Sequence, residues 1–271
     1  MIAERIKKLK KSFNQFGIDG YVVPKNDEFF SEYAQKNRLQ LISNFTGSAG
    51  YAVILKKKNF LFVDGRYTIQ AGIESGKNFT IVNYQKIFNC SLFKGSTIGI
   101  DPKLFTSKQV KKFFKKNNKV KEINSNLIDN VSSKLKLKTK PFYSLKNEVV
   151  GESHHGKLKR VSNFLKRNKS NYLFVSAPEN VAWLLNIRGF DNPNSPIPNC
   201  RILMDYKKRV YFIAENNKTK KIIRDKKIKK KQVIEPKNFE NLINKLKKGR
   251  IIIDNHSCSI FYENLIKKNF L

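Results

Sequence analysis

The sequence has few of the residue types that most catalytic centres use. Its 271 residues include three histidines, three cysteines and 21 Asp+Glu against 55 Lys+Arg. His154 and His155 are adjacent, so on a helix they point in different directions and on a strand to opposite faces; neither has the i, i+4 partner of a helical metal pair. His256 lies in Asp254-Asn255-His256-Ser257, which has the composition of a strand end feeding a helix cap. Capping or solvent-facing roles are therefore expected for all three histidines. Cys90, Cys200 and Cys258 are far apart, odd in number and free of C-x-x-C spacing, which excludes a disulfide framework and a zinc knuckle and predicts reduced, partly buried thiols. No apolar run approaches the roughly 18 residues of a membrane span, and no apolar h-region opens the chain. A soluble, cytoplasmic chain with no membrane partner is expected. P-loop, dinucleotide-binding and nucleophile-elbow patterns are absent as well.

The shortage of acid leaves a formal net charge of +34. Such an excess suits a polyanion partner, and the lysine-rich run from Lys218 to Lys231 would be its phosphate-contacting loop. Against this, lysine, asparagine, isoleucine and phenylalanine are inflated together, as when coding DNA favours A and T. The lysines also lie in both halves of the chain, and no nucleic-acid motif accompanies them. Compositional bias is the reading adopted: no specific nucleic-acid partner is expected, only weak, salt-sensitive association.

What the chain does contain is one plan written twice. Ile2, Ile6, Leu9, Phe13 and Phe16 form a helical stripe closed by Gly17, followed by a strand at 20–24, a polar helix containing Glu28 to Tyr33, and the segment Asn44-Phe45-Thr46-Gly47. Apolar runs at Tyr51 to Leu55 and Phe60 to Val63 then form a hairpin. The second copy has Leu158, Val161 and Leu165 on one helical face, a strand at 172–176, and a helix opened by Pro178. Leu185-Asn186-Ile187-Arg188-Gly189 and a hairpin formed by 201–204 and 209–213 complete the match. Further on, Ile98-Gly99-Ile100-Asp101 and Ile251-Ile252-Ile253-Asp254 each lead into a helix. The first copy adds an extended segment at 120–123 and Asn126-Leu127-Ile128-Asp129, for which the second has no counterpart before Leu271. The expected fold is α/β: two related domains, 1–143 and 144–271, each a mixed sheet flanked by helices, the second incomplete at its C-terminus.

One segment suggests chemistry. In Phe62-Val63-Asp64-Gly65-Arg66-Tyr67 a strand ends in an acid-glycine turn that presents an arginine, and Gly65 is expected to permit a turn aiming Arg66 away from the sheet. An arginine fork can bind a carboxylate or a peptide carbonyl. The alternative is that Arg66 only pairs with Asp64. The glycine-rich Asn44-Phe45-Thr46-Gly47-Ser48-Ala49-Gly50 precedes a strand instead of opening a helix, so it does not read as a phosphate cradle.

Ser31-Glu32-Tyr33, the segment 44–50, Val63-Asp64-Gly65-Arg66-Tyr67, Asn126-Leu127-Ile128-Asp129 and Ala182-Trp183-Leu184-Leu185-Asn186-Ile187-Arg188-Gly189 together resemble, in order, the N-terminal half of a cytosolic-type Xaa-Pro aminopeptidase, or aminopeptidase P, of metalloprotease family M24. The resemblance implies two creatinase N-terminal-type domains followed by a pita-bread catalytic domain. That domain holds two divalent metal ions, usually manganese, and removes the residue preceding proline from peptides. None of its metal ligands has a matching position here, so no catalytic or metal-binding residue is assigned and the chain alone is expected to be inactive. Arg66 is the residue that carries over, as the substrate-contacting arginine, with Asp64, Gly65 and Tyr67 supporting it. Trp183, Arg188 and Asp191 are expected to be structural, with Trp183 in the core. The implied partners are a peptide with proline in second position and the catalytic domain, with a homodimer left open. A stand-alone binding or regulatory module and a basic nucleic-acid-associated protein are the alternatives.

Overall fold

The structure, a computed structural model, describes residues 1–89, 91–114, 118–131 and 139–270; Cys90 lies outside the described residues. The chain divides into two compact units, Met1–Leu137 and Lys138–Leu271.

The first unit opens with α1 (Ile2–Lys11), which buries Ile6 and Leu9 and carries Glu4 in its first turn and lysines in its last, as the helix dipole favours. The single helix expected to run on to Phe16 is divided at Ser12. The Ser12 hydroxyl donates to the Leu9 carbonyl (2.7 Å), a local bond that competes with the helical ladder, before α2 (Phe13–Phe16) begins. Gly17, at φ 56°, ends it as the sequence predicts. There follow β1 (Gly20–Pro24), α3 (Arg38–Ser43), β2 (Gly50–Leu55), β3 (Asn59–Val63), α4 (Thr68–Ser75), β4 (Thr80–Asn83), β5 (Thr97–Ile100), α5 (Ser107–Phe113) and β6 (Lys119–Glu122).

The second unit comprises β7 (Tyr143–Ser144), α6 (Asn147–Val150), α7 (His154–Arg167), β8 (Tyr172–Val175), α8 (Pro178–Leu185), β9 (Ile187–Arg188), β10 (Arg201–Asp205), β11 (Val210–Ile213), α9 (Asn216–Arg224), β12 (Val233–Ile234), α10 (Phe239–Lys245), β13 (Ile251–Ile253) and α11 (Ile260–Phe270). Phe142 and Tyr143, assigned from sequence to the end of the first domain, belong here. Phe142 is fully buried in the second unit's core, and Tyr143 pairs with Arg188.

The two principal sheets confirm the repeat strand by strand. Their orders are β4-β3-β2-β1-β5-β6 and β12-β11-β10-β8-β13. In each, the central strand is antiparallel to the hairpin and parallel to the strand on its other side: β1 with β2 and β5, β8 with β10 and β13. In each, the outer hairpin strand takes a parallel edge strand, β4 or β12. The difference lies at the opposite edge, where β6 covers β5 but no counterpart lies beside β13 among the described residues.

β1 is buried along its whole length because both faces of the sheet are covered. One face packs on Ile6, Leu9, Phe13, Leu39 and Ile42. The other carries an aromatic layer in which Tyr51 meets Phe113 edge-on (5.1 Å) and Phe62 meets Phe93 (6.5 Å). In the second unit α7, α8 and α9 contribute to one core with Ile202, Met204 and Phe212. Phe239, Ile243, Tyr262 and Ile266 pack with Phe174 and Leu203 in another. Cys200 and Cys258 are completely buried, and burial pushes both thiols up, Cys258 to about 12.

The expected helix over Glu28 to Tyr33 is absent. The Asp27 carboxylate accepts the N–H groups of Phe29 (2.9 Å) and Ser31 (3.0 Å), and Phe30 stands at φ 60°. A side chain that satisfies the backbone locally, with a left-handed residue in the middle, folds this stretch as turns.

Candidate functional site

Arg66 sits in the single 3₁₀ turn Gly65–Tyr67 that links β3 to α4. The turn is held by the Asp64 carboxylate, whose Oδ1 accepts the Arg66 backbone N–H (3.1 Å) and the Arg66 Nε (2.8 Å). These two hydrogen bonds depress the Asp64 carboxyl, and Asp64 in turn raises the guanidinium. Gly65 contributes less than expected: it has no left-handed φ, and a Cβ there would meet nothing within 4 Å. The arginine side chain is 74% exposed and its guanidinium carbon lies 5.5 Å from the centre of the Tyr67 ring. Asp64 is its one ion-pair partner among the described residues, and it engages Nε, leaving the two terminal nitrogens of the fork to solvent.

Tyr67 joins the turn to the segment 44–50. Its hydroxyl is 3.0 Å from Ser48 Oγ, and its ring meets Phe45 edge-on at 5.8 Å. Glu74 of α4 pins the same segment by accepting from Thr46 N (2.7 Å) and Thr46 Oγ1 (2.6 Å), while Gln70 bridges Thr46 and Glu74. Burial would raise the Glu74 carboxyl; these hydrogen bonds outweigh it and hold it low. Gly47 is required by close approach, since a Cβ there would fall 2.2 Å from the Phe45 ring. Tyr33 belongs to the same neighbourhood: the charge of Glu32, its hydrogen bond to Glu32 and then Tyr67 raise the Tyr33 phenol.

The Asn126-Leu127-Ile128-Asp129 segment fixes the other end of α3. Arg38, the first residue of that helix, donates Nε and Nη2 to Asp129 (2.9 and 3.1 Å) and Nη2 to Glu28 (2.7 Å), and Lys36 also reaches Asp129. Asn126 donates to the buried Asp101 (2.8 Å). Two of the five motifs singled out from sequence, 44–50 and 63–67, thus meet directly at the surface that presents Arg66, and Asn126-Leu127-Ile128-Asp129 is tied to the start of α3 through Arg38, all within the first unit.

Two consecutive stretches, residues 5–130 and 133–270, each match the family Creatinase/Prolidase N-terminal domain. The chain belongs to that family. Its curated relatives include Xaa-Pro aminopeptidase 1 of Dictyostelium discoideum, 29% identical over all of this chain and 47% of the relative. A probable Xaa-Pro aminopeptidase P of Laccaria bicolor is 31% identical over 72% of this chain and 33% of the relative. Among solved structures, an X-prolyl aminopeptidase from Caenorhabditis elegans, a cytosolic enzyme with a di-nuclear active site, superposes with a TM-score of 0.80. It is 25% identical, over 90% of this chain and 44% of its own. The chain spans between a third and a half of the length of these relatives.

In the second creatinase-type domain the fifth motif serves the fold. Asn186 ends α8 at φ 55°, accepts Lys157 Nζ (2.7 Å) and donates to the Glu152 carbonyl (2.8 Å). A Cβ on Gly189 would come within 2.7 Å of Pro198 Cα. Arg188 donates to the carbonyls of Ala182 and Ile187, and the buried Asp191 pairs with Lys218 (2.7 Å), so both are structural. Trp183 is not in the core. It is 51% exposed, because Val181, Ala182, Leu184 and Leu185 occupy the buried face of α8, and Lys157 Nζ lies 4.4 Å from its ring centre. His154 also departs from expectation: Ser153 is the cap of α7, and His154 is buried behind it. Sequence reasoning missed Gln70 and Glu74; their i, i+4 spacing on α4 was the available signal.

Proposed function

We propose that this chain is the non-catalytic N-terminal part of a metal-dependent, cytoplasmic Xaa-Pro aminopeptidase. In this reading it frames the substrate entrance and Arg66 contacts a peptide whose second residue is proline. The observation that carries the reading is the collinear likeness, over the whole chain, to enzymes of that name. The exposed, rigidly seated Arg66 supports its finer part: two terminal nitrogens of a planar fork, in a turn braced by Asp64 and Tyr67, suit a carbonyl or carboxylate. Ile69 and Ile73, 80% and 78% exposed on α4, place apolar area on the helix that follows.

Among the described residues no group of three or more His, Cys, Asp or Glu is placed to hold a metal ion. This reading places the pair of divalent ions, manganese by family likeness, in the catalytic domain. Peptide binding and positioning are the work proposed for this chain. No described helix is long and apolar enough to cross a membrane.

Fusing this chain to the catalytic part of the Dictyostelium relative tests the assignment. The chimera should release the N-terminal residue from Xaa-Pro peptides in a metal-dependent manner, and the chain alone should release none, with or without manganese. Turnover by the pure chain alone, or a folded chimera without activity, contradicts the assignment.

A further inference from the structure

The second unit contains a cavity of about 520 Å³ whose lining includes His154, His155, Lys208, Lys226, Lys227 and Lys229, and also Arg209 and Lys231, with no acidic side chain. Its size is that of a small-molecule site. Three separate segments build it: the first turn of α7, the turn between β10 and β11, and the stretch that follows α9. We propose that this cavity binds a small oligophosphate, a chain of two or three phosphoryl groups, free or carried on a small molecule.

Compositional bias accounts for the number of lysines in the chain but not for this convergence. Elsewhere in the same unit cations are interleaved with acids, as in Lys218 with Asp191 and Lys267 with Glu263. Around the cavity, none of the lining lysines has an acidic partner among the described residues; Arg209 alone is held, by Asp205. Like charges gathered on a concave surface focus a field that attracts anions. Lys208 and Lys226 stand at φ 67° and 56°, a conformation that glycine or asparagine adopts at lower cost, so two of the cations are placed at some expense of backbone strain.

A second observation is independent of the lysines. His154 is only 8% exposed, and its buried Nε2 has no hydrogen-bond partner. Buried polar atoms are almost always paired, so one residue of the lining carries an unmet hydrogen bond. That nitrogen belongs to the first residue of a 14-residue helix, whose dipole favours an anion, although the Ser153 side chain already takes the Gly156 N–H. Burial, then His155, Lys227 and Lys157, push the His154 imidazole down to about 4; the Glu152 carboxylate, two residues before it, is bound to Arg160. A phosphate chain would supply the negative charge that this setting lacks. Apart from the histidines the only aromatic ring in the lining is the half-buried Tyr211, too little for the succession of stacked bases by which single-stranded nucleic acid is held.

Isothermal titration at low salt with inorganic triphosphate, a nucleoside triphosphate, sulfate and a single-stranded oligonucleotide tests the proposal on the chain as it stands. Triphosphate should bind saturably at one site. Lys227→Gln with Lys229→Gln should weaken it at least about tenfold, while Lys7→Gln with Lys8→Gln, exposed on α1, should leave it unchanged. Equal affinity for the two triphosphates assigns the site to the phosphate chain alone; tighter binding of the nucleoside form assigns it to a nucleotide. On the unmutated protein, saturation with triphosphate should raise the His154 pKa, followed by NMR, by about one unit or more. No saturable binding at millimolar triphosphate, an unmoved His154, or equal weakening by the α1 pair overturns the proposal. So does an oligonucleotide that binds more than about tenfold tighter than triphosphate, which would make the surface a nucleic-acid site.

Discussion

Asn44 and Asn186 end equivalent helices of the two domains in the same left-handed conformation, φ 61° and 55°, and their surroundings are opposite. Asn44 is exposed and has no side-chain hydrogen bond among the described residues, whereas Asn186 is buried between Lys157 and the Glu152 carbonyl. The backbone requirement is common to both copies; the use made of the side chain is not. The same contrast separates Asp101 from Asp254. Asp101 is buried under Asn126, and that burial raises its carboxyl; Asp254, just after β13, is exposed and caps its own turn through His256 N and Ser257 Oγ. One chain plan thus yields a first domain braced around the surface that presents Arg66 and a second whose polar contacts hold its own core together.

Replacing each asparagine by glycine separates the two roles, since glycine keeps the left-handed turn and removes the side chain. Asn186→Gly should cost about 2 to 3 kcal/mol in urea unfolding, because the buried Lys157 ammonium loses its side-chain acceptor. Asn44→Gly should stay within about 0.5 kcal/mol. Equal losses would show that the turn, not the side chain, dominates in both copies.

Acid should also distinguish the domains. In the first, burial favours the protonated forms of Asp129 and Glu28, but Arg38 and Lys36 outweigh it and hold both carboxyls low. The stability they supply is present above their ordinary values of 3.8 and 4.5 and is lost as pH falls through the lower folded values. In the second, His154 is lowered from 6.5 to about 4, so the unfolded chain takes up its proton first and stability declines as pH falls from 6.5 towards 4. The decline should be on the order of 2 kcal/mol, read from hydrogen exchange of each domain, and His154→Gln should remove it. An equal onset in both domains would contradict the buried, neutral state of His154.

How much of this was legible in the sequence depends on how local the physics is. The hairpins, the stop at Gly17 and the start at Pro178 follow from neighbouring residues alone and fall where the sequence puts them. The stretch after Asp27 does not, since whether a carboxylate captures two N–H groups is decided only when the chain turns back on it. β4 and β12 are short parallel edges without a buried face, so no alternation marks them. Arg66 could be picked out because its turn lies next to a strand end. Glu74 could not be assigned its role, because Thr46 lies 28 residues earlier and meets it only in the fold. Trp183 was misplaced because composition says that tryptophan is buried, while the neighbours on α8 had already filled the inward face.

The smallest effect concerns the turn itself. Gly65→Ala should change stability by no more than about 0.5 kcal/mol, with a slight gain in melting temperature the expected sign, because the position has space and no left-handed φ. A large loss would return to glycine the role that the structure gives to Asp64.

The central claim is that Arg66 is held outward to meet a peptide. In the chimera with the Dictyostelium catalytic part, Arg66→Ala should lower kcat/KM on an Xaa-Pro peptide by about 10- to 100-fold, the equivalent of about 1.5 to 3 kcal/mol for a charge-assisted hydrogen bond. Arg66→Lys should recover only part, because an ammonium lacks the planar fork. The melting temperature of the chain should not move, since the exposed guanidinium touches little besides Asp64 and the edge of Tyr67. Full activity with lowered stability in Arg66→Ala would contradict the account and leave Arg66 as the local ion-pair partner of Asp64.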